Sequence, residues 1–225
     1  MQLKAKTWFF VLKDSFMAHS RVLTVAAVTN KNIEMAALNA HNYYRTILAN
    51  GTVSTSIDQL PKANYMIKLK WDDSLAKKAD GFGCNDSVNA TVKYPAGKSN
   101  IAWIEGDRAK LGEEYRAVAA AVHEWWNPVY TSTLSGRNLR VTKKLYKELP
   151  KFVKIAFAYN EKVGCAVNSC DDKALVRCIY DYVPTVKTMP LYVKGKVCEL
   201  CTETGERCEA SLCVVEDEEE EEEED

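Results

Sequence analysis

Apolar positions repeat with helical spacing in several stretches of this chain. Ile33, Ala37, Ala40/His41, Tyr44 and Leu48 share one face of residues 33–50, which predicts a helix. Asn32 can cap its start, and Gly51 fits its stop. Leu75, Ala76, Ala79 and Phe82 form a second stripe, begun by Asp72 or Asp73 as N-cap. An Ala-rich stretch, 109–126, predicts a long third helix ended by Asn127-Pro128, because proline removes a backbone donor. Residues 151–159 read as a short apolar helix after Pro150. Residues 162–168 and 175–183 alternate enough to be strands, joined by a turn at Cys170-Asp171-Asp172. Residues 68–71 and 100–103 read as short extended pieces. Helices interleaved with few strands predict an α+β fold, helical layers around a small antiparallel sheet. From Pro184 onward the chain is Cys-rich and predicted as loop.

Cysteine usage adds the compartment. Eight cysteines, with Cys198, Cys201, Cys208 and Cys213 crowded together, accompany sequons at Asn50, Asn85 and Asn89. An even count with glycan acceptors predicts a secreted, extracellular, disulfide-bonded chain. The leader is weak. The run 8–12 stops at Lys13-Asp14, and Val22 to Val28 is a second, short apolar run, so a start at Met17 or a misassigned N-terminus is an alternative. Residues 1–30 are therefore expected to be leader or disordered arm. No run approaches the ~18 apolar residues of a transmembrane helix.

The net charge of -1 conceals two parts. Glu216 to Asp225 are all acidic, and the rest carries 30 basic against 21 acidic residues, a formal +9. Residues 215–225 are expected to form a disordered acidic tail, since they offer almost nothing to bury and repel one another. The lysines of the body are scattered, without a zinc finger, helix-turn-helix or aromatic RNA-binding signature, so no nucleic-acid partner is expected. No Gly-x-Ser-x-Gly elbow, P-loop or Gly-x-Gly-x-x-Gly is present. On spacing alone, Cys198, Cys201, Cys208 and Cys213 suit either a four-thiolate zinc site or two bridges.

Five segments, in order over residues 33–213, resemble the CAP superfamily (cysteine-rich secretory, antigen 5 and pathogenesis-related proteins). They are Leu38-x-x-His41-Asn42-x-x-Arg45-x-x-Leu48-Ala49-x-Gly51; Leu69-x-Trp71-Asp72-x-x-Leu75-Ala76-x-x-Ala79 with Cys84 beyond; Trp125-Trp126; Val163-Gly164-Cys165-Ala166-Val167 with Cys170 and Cys178; and Leu191-Tyr192-x-x-Gly195-x-x-Cys198-x-x-Cys201 with Cys208 and Leu212-Cys213. The pattern is most similar to the nematode Ancylostoma-secreted and venom-allergen-like members. The resemblance implies a three-layer α-β-α sandwich over residues 31–183. A small disulfide-stapled extension, 184–214, would follow. It also implies bridges Cys84–Cys165 and Cys170–Cys178, and favours Cys198–Cys208 and Cys201–Cys213.

Many CAP proteins hold a divalent metal in a central cleft between two histidines and two glutamates. This chain departs from that pattern: Lys151 stands at one histidine position, while Ser99 and Pro128 stand at the glutamate positions. The other histidine has no counterpart, since no histidine lies between His41 and His123. A lysine ammonium repels a cation and proline offers no side-chain donor or acceptor, so no metal, no cofactor and no catalysis are expected there. His41 is expected to be structural. The expected function is a secreted, non-catalytic binding protein, a host-interaction or immunomodulatory effector with an extracellular protein or receptor as partner. The alternative is a sterol or fatty-acid carrier, suggested by Tyr43, Tyr44, Trp125, Trp126, Phe152 and Phe157.

Overall fold

The computed structural model describes residues 31–81, 83–84, 98–106, 113–184 and 189–216. Helix α1 covers 31–49. It stops where Gly51 takes φ 67, a left-handed conformation that suits glycine. There the Thr52 amide bonds to the Ile47 carbonyl at 3.1 Å and the Gly51 amide to Leu48 at 2.9 Å, a Schellman closure. The short strand β1, Lys70–Trp71, leads into α2, Asp73–Asp80. Asp72 caps α2 by accepting from the Leu75 amide at 2.8 Å. Strand β2 is Ser99–Glu105 and helix α3 is Glu114–Trp126. A 3-10 turn, Asn127–Thr131, follows with Pro128 in its first turn, where a missing donor costs nothing. Next come α4, Lys143–Glu148, α5, Pro150–Ala156, β3, Lys162–Cys170, and β4, Lys173–Tyr180. The extension contributes α6, Glu199–Glu203, and a hairpin of β5, Arg207–Glu209, with β6, Leu212–Val214.

The four-stranded sheet runs β1-β3-β4-β2, with β1 parallel to β3 and the other pairs antiparallel. Side chains alternate between its faces. Val163, Cys165, Val176, Cys178 and Tyr180 join one large core with apolar residues of α1, α3 and α5. Ala166 and Ile179 face the other way, onto Leu75 and Ala79 of α2. Helix α2 reaches the sheet only because Gly164 lacks a side chain: a Cβ there would lie 2.1 Å from the Ala76 nitrogen. The result is a three-layer α-β-α sandwich.

Register decides the bridges and corrects two of the expected pairs. Cys165 lies directly opposite Cys178 across β3 and β4, with Cα atoms 4.0 Å apart, and these two are joined. Cys84–Cys165 is therefore replaced by Cys84–Cys170, which ties the chain beyond α2 to the end of β3. Cys170–Cys178 would need residues at opposite ends of the hairpin, since Cys170 pairs with Lys173. The extension is closed by Cys198–Cys208 and Cys201–Cys213.

Residues from Pro184 onward are not the self-contained loop that sequence alone predicts. Leu191, Tyr192 and Leu212 are buried in the main core. The Cys213 amide bonds to Met66 at 2.8 Å, and the Lys68 amide to Cys213 at 2.8 Å. The extension thus borrows the core of the sandwich instead of depending on its bridges alone.

One buried cation joins these parts. Arg45 of α1 is fully buried. Its guanidinium donates to the carbonyls of Ile67, Ile155, Phe157, Ala158 and Asn160 at 2.6 to 3.4 Å. Burial draws its pKa down to about 9, with Asp181 and Tyr180 opposing, so it stays charged at neutral pH. Arg45→Met is expected to strand these carbonyls and cost about 3–5 kcal/mol. Urea unfolding checks this; a loss under about 1 kcal/mol would show that the carbonyls find other donors.

Candidate functional site

Of the three positions expected to line a cleft, Ser99 lies on β2, Pro128 in the 3-10 turn after α3, and Lys151 on α5. Ser99 begins β2, half-buried opposite Ile179 of β4. Its neighbour Asn100 donates from Nδ2 to the Lys151 carbonyl at 3.0 Å. The half-buried Lys151 ammonium has its pKa lowered by burial and raised again by the nearby Glu124 carboxylate. Glu124 lies one helical turn before the exposed Pro128. These positions therefore offer a cation near a carboxylate, a serine hydroxyl and a proline.

Beneath these positions runs a buried polar chain. His41 Nδ1 lies 2.7 Å from the Ala37 carbonyl, which can only accept, so Nδ1 carries the proton. His41 Nε2 then accepts from the Tyr180 hydroxyl at 2.9 Å. The Tyr180 oxygen in turn accepts from Asn100 Nδ2 at 3.1 Å. Asn100 Oδ1 accepts from Lys154 Nζ at 3.3 Å, and Lys154 also donates to the Pro150 carbonyl at 2.9 Å. The Lys154 carbonyl accepts from Asn160 Nδ2 at 2.6 Å, which returns the chain to the Arg45 cluster. His41 and Arg45 were legible as motif members, but Tyr180, which bonds to His41, and Lys154, which bonds to Asn100, were missed. Both sit amid apolar residues in the sequence, and no local spacing marks them.

Electrostatics follow from this order of donors. Burial lowers the His41 pKa to about 4, the Ala37 bond opposing it and Arg45 adding repulsion. Burial lowers Lys154 to about 8, with Lys151 adding repulsion. The Lys154 ammonium also lies 5.5 Å from the centre of the Tyr146 ring.

An aromatic wall closes the side toward α1. Tyr44 stacks on Trp126 at 4.8 Å between ring centres, and Trp126 meets Phe152 at 4.7 Å. His123, exposed on α3, joins this wall: Tyr44 Oη lies 2.5 Å from Nδ1, and Asn127 Nδ2 donates to Nε2 at 2.8 Å. Tyr43 is 61% exposed beside it. His41 and His123 are thus engaged in separate networks and do not converge as a ligand pair.

Cys201, Glu206 and Cys213 bring three potential ligand atoms within 4.8 Å of one another. Two of them are bonded to each other as a disulfide, which leaves no thiolate for a metal. Asn50 is half-buried, and its Oδ1 accepts from Ser211 Oγ at 3.0 Å. Asn85 and Asn89 lie outside the described residues, as do residues 1–30 and most of the acidic tail. Among the described residues no helix is long and apolar enough to cross a membrane.

The low His41 pKa makes stability depend on pH. The unfolded chain binds a proton near pH 6.5, whereas the folded chain resists until about 4. Stability from this group is complete above pH 6.5 and falls as pH drops toward 4, by about 3 kcal/mol in all. Denaturant melts at pH 7, 5.5 and 4 should show this loss, and His41→Gln should flatten it. An equal slope in the variant would place the titrating group elsewhere.

Comparison with known proteins agrees with this architecture. The model of the cysteine-rich secretory protein family (CAP) matches residues 38–180. Ancylostoma secreted protein of Ancylostoma caninum is 23% identical over 195 residues, covering 84% of this chain and 44% of that protein. The chain thus spans less than half the length of that relative. GLIPR1-like protein 1 of Bos taurus is 25% identical over 195 residues, covering 83% of this chain and 73% of that protein. Among solved structures, BmVAL-1 has a TM-score of 0.70 at 18% identity, covering 82% of this chain and 95% of that one. NaASP2, solved with Zn2+, has a TM-score of 0.69 at 20% identity, covering 81% and 95%. Those two likenesses carry the fold. With the family match spanning most of the sandwich, its register and its bridges, the chain belongs to the cysteine-rich secretory protein (CAP) family.

Proposed function

We propose that this chain is a secreted, non-catalytic CAP protein that binds an extracellular protein or receptor, as a host-interaction or immunomodulatory effector. The observation that carries this reading is the half-buried Lys151 ammonium near the Glu124 carboxylate, at the position that the family resemblance assigns to a metal-binding histidine. A cation there opposes a second cation, and neither Pro128 nor Ser99 replaces a carboxylate. With the cleft chemistry reduced, the outer surface is what remains to recognise a partner. Four bridges with no free cysteine support an oxidising compartment.

The carrier alternative draws less support. Trp125, Trp126, Phe152 and Phe157 are at most 1% exposed. Tyr44, Trp126 and Phe152 pack on one another, as core aromatics do.

Two measurements test the proposal. Protein secreted from eukaryotic cells and dialysed against chelator, then offered zinc, is expected to retain none in stoichiometric amount; one zinc per chain that persists would overturn the reading of the cleft. Pull-down from plasma and cell-surface extracts is expected to yield a partner whose binding saturates. Failure to find one, together with saturable binding of a labelled sterol or fatty acid, would favour the carrier.

A further inference from the structure

An open groove of about 330 Å³ lies where residues 136–140 run beside residues 190–194 of the extension. Arg140 is bridged antiparallel to Pro190, and the Leu191 amide bonds to the Leu139 carbonyl at 2.6 Å. This pairing buries Leu139 and Tyr192 and leaves Arg137, Arg140 and Lys194 exposed along the groove. The frame beneath them is fixed. The Asn138 amide closes a turn onto the Ser135 carbonyl at 3.0 Å. Asp58 Oδ2 accepts from Ser135 Oγ at 3.1 Å and from the Gly136 amide at 3.0 Å. The Tyr192 hydroxyl donates to the Pro61 carbonyl at 3.0 Å. Docking of the extension thus brings Lys194 to two arginines that lie far from it in sequence.

Among the described residues no carboxylate lines this groove. Asp58 acts on Arg137 from nearby, but its Oδ2 is already committed to the turn. Neither Arg137 nor Lys194 is held in an ion pair among the described residues. Asn138 Oδ1 accepts from the Arg140 amide at 3.3 Å, which leaves Nδ2 as an unused donor. Asn138 and Arg140 also line a second hollow of about 170 Å³, where Lys144 lies 3.9 Å from Glu148. The cationic surface therefore continues beyond the space of one anionic group.

A guanidinium fork pairs with the oxygens of a tetrahedral anion through two parallel bonds. Anions repeated along a linear polymer suit a groove that runs on into a second hollow. A protein partner would want a large apolar or aromatic anchor at the centre, and a membrane would want apolar side chains to insert. Here Val193, 38% exposed, is the exposed large apolar side chain. Single-stranded nucleic acid would want an aromatic ring to stack on, and Tyr192 is 1% exposed.

We propose that this groove binds an extracellular sulfated polysaccharide. Arg137 and Arg140 pair with sulfate groups, while Lys194 and Asn138 donate to neighbouring oxygens. This goes beyond the protein or receptor partner proposed above and shares with it only the extracellular setting.

Heparin oligosaccharides of defined length, titrated into the full chain at about 150 mM salt, test it. One variant combines Arg137→Ala, Arg140→Ala and Lys194→Ala. A control removes the same charge elsewhere, with Lys31→Ala, Lys77→Ala and Lys78→Ala on α1 and α2. All of these side chains are exposed, so both variants are expected to keep the fold. The groove variant is expected to bind at least about tenfold more weakly than the natural chain, and the control within about threefold of it. Arg137→Lys with Arg140→Lys keeps the charge and loses the forks, and should fall between. Equal weakening in groove and control variants would overturn the proposal, since net charge alone would then account for binding. So would hyaluronan, poly-glutamate or phosphatidylserine vesicles binding as tightly as heparin, which would assign the groove to a carboxylate polymer, an acidic protein segment or a membrane. Absence of heparin binding by the natural chain would overturn it outright.

Discussion

A fully buried guanidinium organises this fold. Arg45 projects from α1 into a place where five carbonyls, from Ile67 and from the stretch 155–160, would otherwise be left without donors. Irregular backbone can lie inside a core only if its polar groups are paired. By pairing them, Arg45 permits α5 to end at Ala156 and the chain to cross toward β3 beneath α1. The same crossing carries Ala158, whose amide donates to the Leu191 carbonyl of the extension at 2.9 Å. Helix, sheet entry and extension therefore depend on one charge, whose burial is tolerated because every bond it makes is to a fixed acceptor.

From this cluster a second set of bonds leads to the cleft. Asn160 links to the Lys154 carbonyl, Lys154 to Asn100, Asn100 to Tyr180, and Tyr180 to His41. His41, Tyr180 and Asn100 each donate on one side and accept on the other, which gives the chain a single direction. Burial keeps His41 neutral, and the order of donors agrees with it: a second proton on the ring would confront the Tyr180 oxygen, whose own hydrogen already points at Nε2. Lys151 and Lys154 crowd two ammonium groups on adjacent turns of α5, one half-buried and one buried. The region beneath Ser99 and Lys151 is thus held by hydrogen bonds among protein groups.

Much of the frame was legible from local pattern. The α1 face, the Asp72 cap, the Asn127-Pro128 stop and the β3–β4 hairpin all rest on interactions within a few residues of one another, which sequence records directly. The extension was not. Its α6 and β5–β6 pieces are short, and they form against residues 63–68 that lie far away in sequence. The two misassigned bridges have the same origin: Cys165 and Cys178 are partners because of a register set by the turn at Asp171-Asp172, and no spacing rule reports that. In the site, Lys151, Ser99 and Pro128 could be named from motif likeness, while Tyr180 and Lys154 needed three-dimensional proximity. Fold likeness at this level leaves function to the site and the surface.

The account stands on the directed chain through His41, and nuclear magnetic resonance of that imidazole tests it most directly. A neutral ring with the proton on Nδ1, Nε2 unprotonated, and titration only near pH 4 is the expected result. A proton on Nε2, or titration near the ordinary 6.5, would contradict the order of donors from Tyr180 to Lys154.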